Sequence, residues 1–166
     1  MTGDPFYKDL NPISFLDRSA DVYPDKPALS YGDITHTYQD FYNRVNKLAG
    51  ALQKEGIKKG DRVGFLVPNI PAMFEGHYGP LKIGAVLVAI NTRLSAREVS
   101  YILNHSGAKV LVFDSEYAEL INQIKNELPE ITRFVQVVDT SPKSSLVKGP
   151  EYEEFLNSAG PGEHRV

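Results

Sequence analysis

Two short all-apolar runs, Ala85 to Ile90 and Val110 to Phe113, flank a segment whose apolar positions recur at helical spacing. Neither run alternates apolar with polar residues, so both faces of each strand are expected to be covered, as in a parallel sheet under helices. Between them, Ser95 and Glu98 stand at capping-box spacing and Gly107 supplies a stop. Val99, Ile102, Leu103 and Ser106 share one helical face. The stretch from Pro80 to Asp114 therefore predicts a βαβ unit.

The same pattern continues in both directions. Asn11-Pro12 opens a helix carrying Ile13, Leu16, Ala20 and Tyr23 on one face, and Pro24 closes it. Ala28 to Tyr31 and Thr35 to Tyr38 flank Gly32-Asp33 and predict a hairpin. A longer helix starts near Thr37, with Asp40 three residues on, buries Phe41, Val45, Leu48 and Leu52, and ends at Gly56. Ile57 to Arg62 reads as a charged surface turn and Val63 to Val67 as an interior strand. Pro71 begins a helix with Phe74, Tyr78 and Leu81 on a shared face, kinked or shortened by Pro80. After Asp114, Ser115 is expected to cap a helix with Leu120 or Ile121, Ile124 and Leu128, stopped by Pro129. Phe134 to Val138 reads as a strand, Asp139 to Pro150 as a surface loop and Glu151 to Ala159 as a short acidic helix. No fixed-period repeat stands out, and the alternation of helix and strand predicts an α/β fold with a largely parallel sheet. Residues 1–11 are expected to form a surface arm, 12–138 the α/β unit, and 139–166 a loop, a short helix and an unstructured or truncated tail.

Composition narrows the class of function. At 166 residues and 42% hydrophobic, the chain can bury one domain's core or form part of a larger one. A net charge of −3 and a pI near 5.8 argue against nucleic acid as a partner. With no cysteine there are no disulfides, no thiolate catalysis and no thiolate zinc ligands, and the cytoplasm is the expected compartment. No apolar run approaches the roughly 18 residues of a membrane span, and the first residues show no signal-peptide pattern.

Motifs for chemistry are scarce. G-x-G-x-x-G, the Walker loop, G-x-S-x-G and H-E-x-x-H are all missing, and His36, His77, His105 and His164 are too dispersed for a metal spacing. Neither a catalytic residue nor a metal ligand is expected. Three residues are candidates for binding substrate. His77, in EGHYGP, sits beside aromatics and a proline turn; it is either pocket-lining or a surface helix histidine. Asn91 and Arg93 follow an apolar strand, where open α/β sheets place ligand-facing groups; the other reading is a structural turn in which Arg93 pairs with Glu98. Asp114 also ends a strand, and capping is its expected role.

Taken together, VYPDKPALSY, THTYQDFYNRVNKLAGAL and KKGDRVGFLVPNIPAMFEGHYGPLKIGAVLVAINTRLSAREVSYILNHSGAKVLVFD resemble the N-terminal part of the adenylate-forming superfamily, most closely its short- and medium-chain acyl-CoA synthetases. A T-Y helix, a G-D-R-V strand, a P-N-x-P helix, a G-A-V strand and an S/T-x-x-E helix occur here in the family order, between about Pro12 and Val138. One departure is Ala89, where many members carry proline. The resemblance implies a two-step reaction. A carboxylate attacks the α-phosphate of ATP, with Mg²⁺ assisting, to give acyl-AMP and pyrophosphate; the CoA thiol then displaces AMP. It also implies that the family's phosphate loop and catalytic lysine lie downstream of Val166. The expectation is thus an N-terminal scaffold subdomain whose partner is the remainder of the synthetase chain, with dimer contacts as a family-like role. ATP, CoA and Mg²⁺ would belong to the parent enzyme and not bind this fragment tightly. The alternatives are a stand-alone flavodoxin-like binding or regulatory module, or a remnant that partners a full-length synthetase.

Overall fold

The three longest helices begin where the sequence supplies side-chain acceptors for their first amides. In the computed structural model, which describes residues 11–159, Asn11 caps α1 (Pro12–Val22), its Oδ1 accepting from the Ser14 amide at 2.9 Å. Thr37 and Asp40 form a reciprocal capping box at the start of α2 (Tyr38–Lys54), and Ser95 and Glu98 do the same for α5 (Ala96–Ser106). Gly107 ends α5 in the left-handed region at φ 63°. The expected arm, apart from Asn11, and the tail from Gly160 lie outside the described residues.

Strands β1 (Pro27–Tyr31) and β2 (Ile34–Thr37) form the expected antiparallel hairpin. The main sheet holds β3 (Arg62–Leu66), β4 (Val86–Ala89), β5 (Ala108–Asp114) and β6 (Arg133–Val137), all parallel, in the order β4-β3-β5-β6. Val63, Phe65, Val110, Val112, Val135 and Val137 point to one face, under α2 and α7 (Tyr152–Asn157). Leu66, Leu111 and Phe113 face the other way, against Val99 and Leu103 of α5 and Ile121 of α6 (Ala118–Ile124). The two-sided apolar character of β3 and β5 is thus satisfied, as a parallel sheet between helix layers requires.

Several local expectations are corrected. Strand β4 is an edge, not an interior strand: Val86 is 49% exposed and Ala89 is exposed, while only Ala85 and Ile90 at its ends are buried. Its crossover through α5 passes over β3, so β4 and β5 are not neighbours, and the central pair is β3 with β5. Tyr23 does not complete the buried face of α1; it is the C-cap and is half exposed. Ile57 is buried, inside the segment expected to be a charged surface turn.

The helix expected from Pro71 is two short ones, α3 (Pro71–Gly76) and α4 (Gly79–Lys82), and Pro80 sits in the first turn of the second, where its missing N–H costs nothing. Their buried face is Ala72, Glu75, Gly76, Gly79 and Pro80, not Phe74, Tyr78 and Leu81. Glycine is required at two of these positions because a Cβ on Gly76 would strike the Phe65 ring, and one on Gly79 the Leu48 side chain. Phe74 and Tyr78 instead form an aromatic cluster with Phe41, with Phe41 and Phe74 stacked at 4.6 Å.

Asp114, and not Ser115, caps the next segment. Its Oδ1 accepts from the Glu116 amide at 2.9 Å, opening a single 3-10 turn (Ser115–Tyr117) ahead of α6, while the Ser115 hydroxyl donates to the Ser141 carbonyl at 2.7 Å. The following loop is anchored from within. The buried Gln136 amide donates to the carbonyls of Ser144 and Val147 at 3.0 and 2.7 Å, and accepts from the Ser144 amide at 3.1 Å.

Candidate functional site

In open parallel sheets ligands gather beyond the carboxyl ends of the strands, where the crossovers diverge to opposite faces. Here that divergence falls between the adjacent strands β3, which leads to α3 on one face, and β4, which leads to α5 on the other. After β3 the chain turns sharply, the Ile70 amide donating to the Pro68 carbonyl at 2.8 Å, which leaves Asn69 at the tip. After β4, Ile90 still donates to the Phe65 carbonyl at 2.9 Å, and the chain then turns at Asn91. The Asn91 Oδ1 accepts from the Arg93 amide at 2.9 Å, an Asx turn that fixes the loop and leaves its amide nitrogen as a donor.

These two turns enclose a cleft of about 530 Å³ whose polar lining is Asn69, Asn91, Thr92 and Arg93. Arg93 does not pair with Glu98, whose Oε2 accepts instead from the Ser95 amide and hydroxyl at 2.8 and 2.6 Å. Those two hydrogen bonds hold the Glu98 carboxyl below its ordinary range. Among the described residues Arg93 is the one charged residue on the cleft wall.

His77 lies in a neighbouring cleft of about 270 Å³, lined chiefly by Leu29, Tyr31, Ile70, Pro71, Met73 and Phe74. Its ring is exposed at the C-cap of α3, with Nδ1 at 2.8 Å from the Met73 carbonyl. The structure therefore brings Asn91 and Arg93 together and sets His77 apart, with Asn69 and Met73 shared by both clefts. Asn69 was legible by the rule that singled out Asn91, since it too follows an apolar strand. Met73 carried no signal beyond its helical context.

A second polar constellation was not foreseen. Glu75, fully buried, accepts from the Tyr152 hydroxyl at 2.7 Å and from Arg44 Nε at 2.5 Å, while Arg44 also donates to Glu153 at 2.6 Å. Burial raises the Glu75 carboxyl above its ordinary value although Arg44 and Tyr152 oppose the shift. Burial, together with the Glu75 carboxylate, raises the Tyr152 phenol well above its own. The group ties α2, α3 and α7 together, with Glu75 and Tyr152 buried and Glu153 at the surface. Asp114 is also buried, which raises its carboxyl despite the Glu116 amide. Among the described residues no three histidine or acidic side chains gather as a metal site, and no helix is long and apolar enough to cross a membrane.

Comparison with known proteins gives the family. A peroxisomal butyrate–CoA ligase of Arabidopsis thaliana is 40% identical over 159 residues, covering 92% of this chain and 28% of the relative. A peroxisomal trans-cinnamate:CoA ligase of Petunia hybrida is 41% identical over 145 residues, covering 87% of this chain and 25% of the relative. Among solved structures, an anthranilate CoA ligase in complex with anthranoyl-AMP superposes with a TM-score of 0.86 at 27% identity, over 95% of this chain and 30% of that one. The chain thus spans at most about three-tenths of these relatives' length. The family model described as AMP-binding enzyme matches residues 16–162, and the chain belongs to that family.

Proposed function

We propose that this chain is the N-terminal α/β scaffold, residues 12–138 with the following loop and helix, of an AMP-forming acyl-CoA synthetase. The whole enzyme would join a carboxylate to CoA through an acyl-AMP, releasing pyrophosphate and then AMP. The observation that carries this reading is the family match across residues 16–162, with CoA ligases as the relatives. ATP, CoA and Mg²⁺ would serve that parent enzyme. This chain's contribution would be a wall of the large domain, with His77, Asn91 and Arg93 facing substrate. Cytoplasmic residence and a homodimer belong to the same proposal, and fractionation and sedimentation velocity test them.

Acid-dependent ATP/pyrophosphate exchange is the deciding experiment. The purified 166-residue chain should show none, and a full-length synthetase carrying this segment should show it clearly. In that enzyme Arg93→Ala should raise the substrate KM about fivefold, the scale of one exposed charge-assisted contact. Exchange by the chain alone, or an Arg93→Ala enzyme with unaltered KM, overturns the corresponding part of the proposal.

A further inference from the structure

Among the described residues β4 has a neighbouring strand on one side only. The Val86 and Ile90 amides donate to the Asp61 and Phe65 carbonyls at 2.8 and 2.9 Å, so Val86, Val88 and Ile90 turn their backbone groups toward β3. Backbone direction alternates along a strand, which leaves the N–H and C=O of Leu87 and Ala89 pointing out of the sheet. Open edges are ordinarily guarded by lysine, proline or a bulge. Strand β4 reads Val-Leu-Val-Ala in unbroken register with β3 and carries none of these. Val86 is half exposed.

The helix beside this edge is open as well. Ser100 and Asn104 turn one side of α5 toward Glu127, just beyond α6. Glu98 and Ile102 lie on the opposite side of α5, toward β4, and with Leu94, Arg97 and Tyr101 they line a groove of about 340 Å³. Tyr101 is 66% exposed. Val88 packs with the α5 cluster and Leu87 with the α2 cluster, so alternation puts the exposed Val86 on the α5 face too. Unpaired backbone and apolar groove thus share one border of the fold.

We propose that this border is where the remainder of the synthetase chain docks. A segment outside these 166 residues adds a strand to β4 through Leu87 and Ala89, and lays apolar side chains over Val86 and into the groove at Tyr101. This rests on the synthetase reading. The size of the edge favours a tethered occupant. A strand pair about 13 Å long in a sheet about 10 Å deep buries on the order of a few hundred Å², well under the roughly 1,200 Å² of a stable complex between free partners. A segment of the same chain needs less, because tethering gives it an effective concentration of millimolar order. The matched relatives leave ample chain for it, this one spanning at most about three-tenths of their length. A second copy would offer only the same four-residue edge, with no tether.

The test is amide hydrogen exchange, read by mass spectrometry with residue-level fragmentation, on the 166-residue chain and on a full-length synthetase that carries it. In the chain alone Leu87 and Ala89 should exchange close to the free-amide rate while Val88 and Ile90 are protected. In the synthetase both outward amides should slow at least about 100-fold. Val86→Lys should leave the thermal midpoint of the 166-residue chain within about 1 °C, because the side chain is half exposed there. In the synthetase the same substitution buries a charge at the docked strand and should speed both outward amides at least about tenfold. The proposal is overturned if Leu87 and Ala89 stay fast in the wild-type synthetase, or if Val86→Lys leaves them slow. It is equally overturned if they are slow in the chain alone, and protection that rises with the chain's concentration would identify a second copy as the occupant. Acid-dependent ATP/pyrophosphate exchange by the same synthetase preparation, alongside any of those results, leaves the synthetase reading standing while removing this one. Its absence removes the synthetase reading whatever the amides do.

Discussion

Replacing Arg44 with methionine should turn the buried Glu75 from a compensated charge into an isolated one. Glu75 is 0% exposed and holds Arg44 Nε at 2.5 Å, Arg44 Nη2 at 3.4 Å and the Tyr152 hydroxyl at 2.7 Å. Methionine roughly preserves the stem of arginine, so packing between α2 and α3 is kept and the charge alone is lost. Breaking a buried pair by removing one partner costs about 3–5 kcal/mol; with Tyr152 still donating, the lower figure applies, about 3 kcal/mol. With a urea m-value of about 2 kcal/mol/M, the midpoint should fall by about 1.5 M near neutral pH. The loss should depend on pH in a definite direction. The Glu75 carboxyl is already raised in the folded state, burial outweighing Arg44, and without Arg44 it rises further. The folded protein then keeps a proton that the unfolded chain releases near the ordinary glutamate value of about 4.3. Stability is therefore highest below that value and declines as pH climbs through the folded pKa, by up to about 1.4 kcal/mol per unit. Urea unfolding from pH 4 to 8 should show the penalty of Arg44→Met growing with pH, and Arg44→Met combined with Glu75→Gln should recover at least about 1.5 kcal/mol at pH 8. A loss below 1 kcal/mol that is the same at both ends of the range, or strict additivity of the two substitutions, would refute the buried-charge account.

Gly79→Ala should destabilise by about 1–3 kcal/mol in the same assay, because its Cβ would strike Leu48, which is fully buried on α2 and has nowhere to go. A wild-type midpoint would mean that α2 and α4 can separate at no cost. Asp114→Asn keeps the acceptor for the Glu116 amide and removes a charge whose carboxyl burial has raised. It should stabilise the chain at pH 8 and make no difference at pH 3, where both folded and unfolded aspartate are protonated; thermal unfolding at the two pH values measures the contrast, and equal shifts would contradict it.

What could be read in advance was what depends on near neighbours in the chain. Thr37 with Asp40 and Ser95 with Glu98 lie three residues apart, so their helix starts were legible, as was the Gly107 stop. The apolar runs of β3 and β5 announced interior strands correctly, yet the equally apolar β4 is an edge. An apolar run records that a strand can be covered, but not which strand lies beside it. In the Pro71 helix, periodicity favoured the large residues Phe74, Tyr78 and Leu81, whereas close approach to Phe65 and Leu48 selected the face with Gly76 and Gly79. Buried charges were the least visible. Lys82 reaches Asp17 across 65 residues and Glu75 reaches Tyr152 across 77, and no local pattern encodes either. The candidate site follows the same division: the Asn91–Arg93 turn was readable from its position after a strand, but its neighbourhood with Met73 and the apolar cleft depends on how β3 and β4 pair.

The position of α7 sets an order of events during synthesis. Three basic residues of α2 hold it: Arg44 on Glu153, Lys47 on Asn157 at 2.9 Å and Lys54 on the Ser158 carbonyl at 2.9 Å. Tyr152, Phe155 and Leu156 complete the core on that side of the sheet. Tyr152 leaves the ribosome 77 residues after Glu75, about 4–15 s later at ordinary elongation rates, while helices form in microseconds. Arg44 precedes Glu75 by 31 residues, so the carboxylate is neutralised from the moment α3 docks and does not wait for its phenol. Helix α7 works as a latch on a sheet that is already laid down, and the pace of translation, more than chain diffusion, decides when that face closes.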